Sequence, residues 1–179
     1  MTAISVHVPA KTILFGEHAV VYGFPGIAVP IDAIGIKIGV YANPKSSHNS
    51  ISIYHVETAS RYLLESLPPT HPTRAAVEII KDALEIDHIP SSEIQIASSI
   101  PNSAGLGSSA AFAVALVKAL SLFLGFKLDN NKINEIAYKI EKIQHNLFSK
   151  INLRITDEME INRKGDTFLY HFLLINTFL

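Results

Sequence analysis

The 179-residue chain predicts an α+β domain, and three observations carry that expectation. Strand-like and helix-like stretches interleave without the regular βα alternation of a doubly wound sheet. No internal repeat is visible. Apolar residues make up 48% of the sequence against 17% charged, with a net charge of -1, a balance that builds a core rather than a disordered or strongly charged chain.

The elements follow in order. Residues 3–8 and 12–15 are rich in Ile and Val and read as strand, broken by Pro9, while Ile34 to Tyr41 alternates apolar with small or polar side chains as a sheet strand does. Asn43 to Ser50 reads as a polar turn leading to a strand at Ile51 to Val56, which predicts a hairpin between the two. Pro68, Pro69 and Pro72 interrupt the chain before TRAAVEIIKDALEI, where Val77, Ile80 and Leu84 share one helical face. Strand returns over Ser92 to Ile100, with Ile94, Ile96 and Ser98 on one face. From Leu106 to Leu124 the chain is apolar nearly all round, the pattern of a helix buried in a core. Lys118 interrupts that run, which falls short of the roughly 20 apolar residues a bilayer span needs. Asp129 is placed to cap a last helix in which Ile133, Ile136, Ile140, Ile143 and Leu147 recur at three and four residues, a core-packing stripe.

Composition narrows the function classes. With no basic stripe to neutralise phosphates along a backbone, nucleic acid is not an expected partner. Cysteine is absent, which excludes disulfides, thiolate zinc sites and a cysteine nucleophile. The eight histidines are scattered without an HExxH, so a metal held mainly by imidazoles is disfavoured. The N-terminus lacks the basic start, apolar block and small-residue cleavage site of a secretory signal, and the cytoplasm is the expected location.

The stretch IPNSAGLGSSAAF, residues 100–112, carries the chemistry. A strand leads into a loop whose Gly105 and Gly107 strip side chains from the backbone, and a helix begins near Ser108. Unpaired amides and the helix dipole then add in the same direction, so a phosphate is the natural occupant, and Ser108 and Ser109 add hydroxyls that reach phosphate or a bound cation. The same residues also describe a flexible Gly/Ser turn capped by a serine, and the glycines alone leave both readings open. No Lys follows the glycines as in a Walker loop, and the spacing is not a GxGxxG fingerprint.

The full stretch IPNSAGLGSSAA resembles the ATP-binding signature of the GHMP kinases, the superfamily of galacto-, homoserine, mevalonate and phosphomevalonate kinases; members usually carry Gly where Ser103 stands. A second motif, PAKTILFGEHAVVYGFPGIAVPID at residues 9–32, looks like the N-terminal substrate motif of the mevalonate kinases. Galactokinases have an Arg and an EHTDYN-like run there, and phosphomevalonate kinases tend towards GEYAVL. The resemblance extends from about residue 4 to His145.

That resemblance implies a ribosomal protein S5 domain 2-like N-terminal domain and transfer of the ATP γ-phosphoryl group to the 5-hydroxyl of mevalonate, an early step towards isoprenoids. It implies ATP and Mg2+ as cofactors. By position, Lys11 would sit near the substrate hydroxyl and favour the developing alkoxide. Glu17 and His18 resemble residues that line the mevalonate side of the cleft, although such a pair also describes a polar cluster tying down a turn. The ATP phosphates would rest in the loop of Pro101, Ser103, Ala104, Gly105, Leu106, Gly107, Ser108 and Ser109. Magnesium ligands would be Ser108 or Ser109, which are not separable here, together with Glu141, which the motif places four residues before His145 on a helix face distinct from the isoleucine stripe. Dimers are common in the family, which leaves a homodimer open; no residue here argues for one.

Beyond His145 the likeness stops. Mevalonate kinases continue with a pattern like GNPSGxD, whose Asp is proposed to accept the proton of the attacking hydroxyl. This chain continues NLFSKIN: Ser149 falls under the family's Ser, but Lys150 replaces a Gly and Asn152 stands where the Asp belongs. An amide cannot take a proton as a carboxylate does. Nothing in the spacing of Asp157, Glu158 or Asp166 suggests a substitute. Residues 1–148 therefore read as the ATP-binding domain and 149–179 as a tail outside the family pattern, with the family's C-terminal domain missing, as truncation or a shifted reading frame after His145 leaves a chain. The apolar run Phe168 to Leu179 is too short to span a membrane. The expectation is a mevalonate kinase-like protein with little or no activity. Its rivals are a non-catalytic module that binds nucleotide or a partner, and a GHMP kinase acting on phosphomevalonate or a sugar.

Overall fold

The computed structural model describes residues 3–19, 22, 24–44, 50–101, 103–144 and 173–175. Strand β1 (Ala3–Phe15) pairs antiparallel with β2 (Gly26–Ala42). Then come β3 (Ile51–His55), β4 (Ser60–Leu63), helix α1 (Pro72–Ala83), β5 (Ser92–Ser98), α2 (Ser108–Phe123), α3 (Asn130–Gln144) and the short β6 (Leu173–Ile175). The sheet runs β1-β2-β5-β3-β4, with β6 added to the first residues of β2.

Alternation decides which face is buried. Val6 lies opposite Ile38, and Ile38 opposite Ile96; Val40 lies opposite Ile94, and Ile94 beside Ile53. All of these are buried, and they form one core with Val77 and Ile80 of α1, Leu116 and Leu120 of α2, and Ile133, Ile136 and Ile140 of α3. Between them stand Ser5, His7, Lys37, Tyr41, Glu93 and Gln95, none of them buried, so one face of the sheet is covered and the other is polar. Helix α2 is lined inward by Ala111, Ala113, Ala115 and Ala119, whose small side chains let it lie close against β1 and β2.

Several expectations change. Pro9 does not break the first strand. Pro9 is opposite Gly35 and Ala10 is opposite Ile31, so the ladder shifts there and the strand continues through a bulge, which accommodates a proline that has no amide to donate. The hairpin between Ile34–Tyr41 and Ile51–Val56 is overturned: β5 inserts between them, antiparallel to β2 and parallel to β3, and β3 instead forms its hairpin with β4. The large buried helix does begin at Ser108, where Gly107 adopts a left-handed conformation at its N-cap, so Leu106, the first residue of the apolar run, stays in the loop. Asp129 does cap α3, its Oδ1 accepting the Lys132 amide at 2.7 Å. The stripe of that helix holds through Ile140, but Ile143 is 49% exposed, and Leu147 lies outside the described residues, as do most of the polar turn before β3 and every residue from His145 to Asn152.

Candidate functional site

The site forms where β5 leaves the sheet and α2 begins. Among the described residues of the connecting loop three have positive φ: Ser103 at 57°, Gly105 at 71° and Gly107 at 73°. The last two are open to any residue lacking a side chain. Ser103 holds the same left-handed region at a cost of roughly 1–2 kcal/mol for a residue with a Cβ, a cost that glycine would not carry. Gly107 has no side chain with which to cap α2. No side chain of the N-cap residue therefore covers the first turn of the helix, the end that favours an anion.

Lys11 closes one side. Its backbone amide donates to the Leu106 carbonyl at 3.0 Å, tying β1 to the loop. Its side-chain stem runs across Gly107: a Cβ there would lie 2.8 Å from Lys11 Cε and 3.0 Å from Cγ, so the lysine stem would have to shift to admit any other residue. Burial pushes the Lys11 ammonium below its usual pKa, and the nearby Glu141 carboxylate opposes that shift. Glu141 projects from α3 to accept a hydrogen bond from the Ser109 hydroxyl. Lys11, Ser109 and Glu141, from three separate elements, therefore meet beside the first turn of α2.

The remaining residues of interest lie around this centre. Ser108 is half-buried at the first position of α2, whereas Pro101, Ser103, Ala104 and Gly105 are exposed along the loop. Glu17 and His18 occupy the turn after β1 and face each other at 3.9 Å, with the His18 side chain 96% exposed. This turn departs at Gly16, whose φ of 88° and 2.9 Å approach of a built Cβ to Gly26 Cα demand glycine. Among the described residues no hydrogen bond or ion pair joins Glu17 or His18 to Lys11. His145 and Asn152 lie outside the described residues. Among the described residues no three His, Asp or Glu side chains could hold a metal together, so a cation here would find one carboxylate and one hydroxyl and would need further oxygens from its ligand. A hard ion that arrives with phosphate oxygens fits that donor set.

Two contacts escaped sequence reasoning. The Glu57 carboxylate accepts from the Ser98 amide, and Ser99 binds Gly35 through both main chain and hydroxyl. No periodicity or motif signals either. Among the described residues no helix is long and apolar enough to cross a membrane.

Comparison with known families identifies the class of protein: residues 71–151 match the GHMP kinases N terminal domain, and this part of the chain is a domain of that family. Within that class its curated relatives include several mevalonate kinases. It is 32% identical to the mevalonate kinase of Methanocaldococcus jannaschii over 172 residues, covering 89% of this chain and 52% of that protein. It is 36% identical to the mevalonate kinase of Pyrococcus horikoshii over 156 residues, covering 80% of this chain and 46% of that one. The crystal structure of the Methanococcus jannaschii mevalonate kinase superposes with a TM-score of 0.71 at 28% identity, over 81% of this chain and 48% of the other. The chain spans about half the length of the curated relatives it matches.

Proposed function

We propose that this chain is a mevalonate kinase-like protein whose described domain binds MgATP, the parent reaction being phosphoryl transfer from ATP to the 5-hydroxyl of mevalonate. One observation carries the reading: a left-handed glycine loop opens the first turn of α2 directly beside Lys11, Ser109 and Glu141. The amides of residues 104–109 would hold the nucleotide phosphates, with Pro101 and Ser103 shaping the loop's entry. Ser109, which touches Glu141, is the better candidate than Ser108 to share a magnesium ion with that carboxylate; the ion would supply charge neutralisation on the phosphates. Lys11 would hold the acceptor oxygen and stabilise its developing charge, and Glu17 and His18 would flank the acceptor.

The 179-residue chain on its own has little or no turnover in this reading, because Asn152 stands where the related pattern carries its proton-accepting Asp. The same observation supports the second reading, a nucleotide-binding module without phosphoryl transfer. Calorimetric titration with MgATP, followed by turnover assays with mevalonate, phosphomevalonate and galactose, tests both. Binding with negligible turnover on all three acceptors is expected. Absence of MgATP binding would remove the phosphate-loop reading, and turnover comparable to that of a relative of full length would remove the impairment.

A further inference from the structure

The point where the chain leaves the sheet is built differently from an ordinary strand end. In the β2–β5 ladder the last pair is Ile36 with Ser98, so Gly35 and Ser99 are next in register. A continuing antiparallel ladder would join them by two reciprocal main-chain bonds. One is present: the Ser99 amide donates to the Gly35 carbonyl at 3.0 Å. The other is replaced, for the Gly35 amide donates to the Ser99 hydroxyl at 2.9 Å instead of to the Ser99 carbonyl. That hydroxyl also reaches the Gly35 carbonyl, at 3.2 Å. The side chain thus takes the place of the residue's own carbonyl, which is released from the ladder, and the chain turns away into Ile100 and the glycine loop.

Gly35 is an unyielding anchor. It is buried, and a built Cβ would lie 2.5 Å from the Val8 carbonyl oxygen and 2.5 Å from His7 Nε2. It sits opposite Pro9 at the bulge of β1, and two residues further along β1 the Lys11 amide holds the Leu106 carbonyl. Both ends of the loop, Ser99 and Leu106, are therefore fastened to the β1–β2 pair on either side of one bulge, within a few residues of the lysine that the loop faces.

We propose that Ser99 is a positioning residue: its hydroxyl, by standing in for a main-chain carbonyl on Gly35, sets the departure angle of the phosphate loop and hence the placement of its amides relative to Lys11. The proposal rests on the nucleotide-binding reading of that loop. A residue without the hydroxyl has two choices. It either restores the ladder with its own carbonyl, which redirects the loop, or it leaves the Gly35 amide without its protein acceptor.

The experiment compares the full chain with Ser99→Ala, Ser99→Thr and a control, Ile53→Val, which trims a buried side chain on β3 away from the loop. MgATP affinity and melting temperature are read for each, together with amide hydrogen exchange. Ser99→Ala should bind MgATP about tenfold more weakly and Ser99→Thr, which keeps the hydroxyl, within about twofold of the wild type. Ile53→Val should melt lower with unchanged affinity. Wild-type affinity in Ser99→Ala, or equal losses in Ser99→Ala and Ile53→Val, would overturn the proposal. If the wild type binds no MgATP, the nucleotide reading fails by itself, and exchange decides the positioning role. Faster exchange in Ser99→Ala confined to Gly35 and residues 103–107 supports it; an unchanged pattern there overturns it.

Discussion

Gly105 and Gly107 have nearly the same φ, and yet they stand in different surroundings. A Cβ at 105 would meet nothing within 4 Å, whereas one at 107 would run into the Lys11 stem. Gly105→Ala should therefore cost only the left-handed conformation, about 1 kcal/mol. Gly107→Ala adds steric overlap and should cost roughly 2–4 kcal/mol, as well as driving the ammonium away from Glu141. Urea denaturation of the two variants measures the difference; equal losses would mean that the lysine does not rest on Gly107. Lys11 itself yields a pH prediction. Its folded-state pKa is lowered by burial, so the unfolded chain holds that proton more tightly, and wild-type stability gains as pH rises from the lowered value through the ordinary 10.5. Lys11→Met keeps the stem and removes the charge. It should melt higher than the wild type at pH 7, and the gap should close as pH approaches 10.5. A gap that widens with pH would mean that Glu141, not burial, dominates the site.

At the scale of the element, what was legible in the sequence follows from range. The apolar face of α1, the start of α2 at Ser108 and the Asp129 cap are set by residues within a turn or two of each other, and each is present. Ile143 departs from its stripe and is exposed, a matter of tertiary context that periodicity does not encode. The meeting of Lys11, Ser109 and Glu141 is likewise invisible to spacing, since the three lie far apart along the chain; the loop pattern pointed to Ser109, only the resemblance named Lys11 and Glu141, and only the packing of α3 on α2 brings the carboxylate to the hydroxyl. Helix α3 therefore matters to the site as well as to the core. Asp129→Ala removes the acceptor of the Lys132 amide and should destabilise the fold by about 1 kcal/mol, read in urea. Because that cap lies at the opposite end of α3 from Glu141, MgATP affinity should stay within about twofold of the wild type, a change of less than 1 kcal/mol. A large loss of affinity would mean that α3 is not rigid along its length.

The order of the sheet is the property of the whole molecule that local patterns missed. A polar turn between two strand patterns ordinarily signals a hairpin, but here β5, which arrives only after α1, occupies the place between β2 and β3. Its two faces explain why it can: Ile94 and Ile96 enter the same core as Ile38, Val40 and Ile53, while Glu93 and Gln95 continue the polar face. The strand that joins the two halves of the sheet is thus also the strand that launches the phosphate loop. Its packing should govern folding and site alike. Ile94 is fully buried between Val40 and Ile53, so Ile94→Ala should cost roughly 2–5 kcal/mol, a large part of the 5–15 kcal/mol typical of a domain. With no tryptophan in the chain, tyrosine fluorescence and far-ultraviolet circular dichroism are the natural probes of its unfolding. If β5 unites the sheet, both signals should shift together to lower urea and keep a single transition. Two separated transitions would show instead that the β1–β2 pair and the β3–β4 hairpin are held independently, and that the loop is anchored to only one of them.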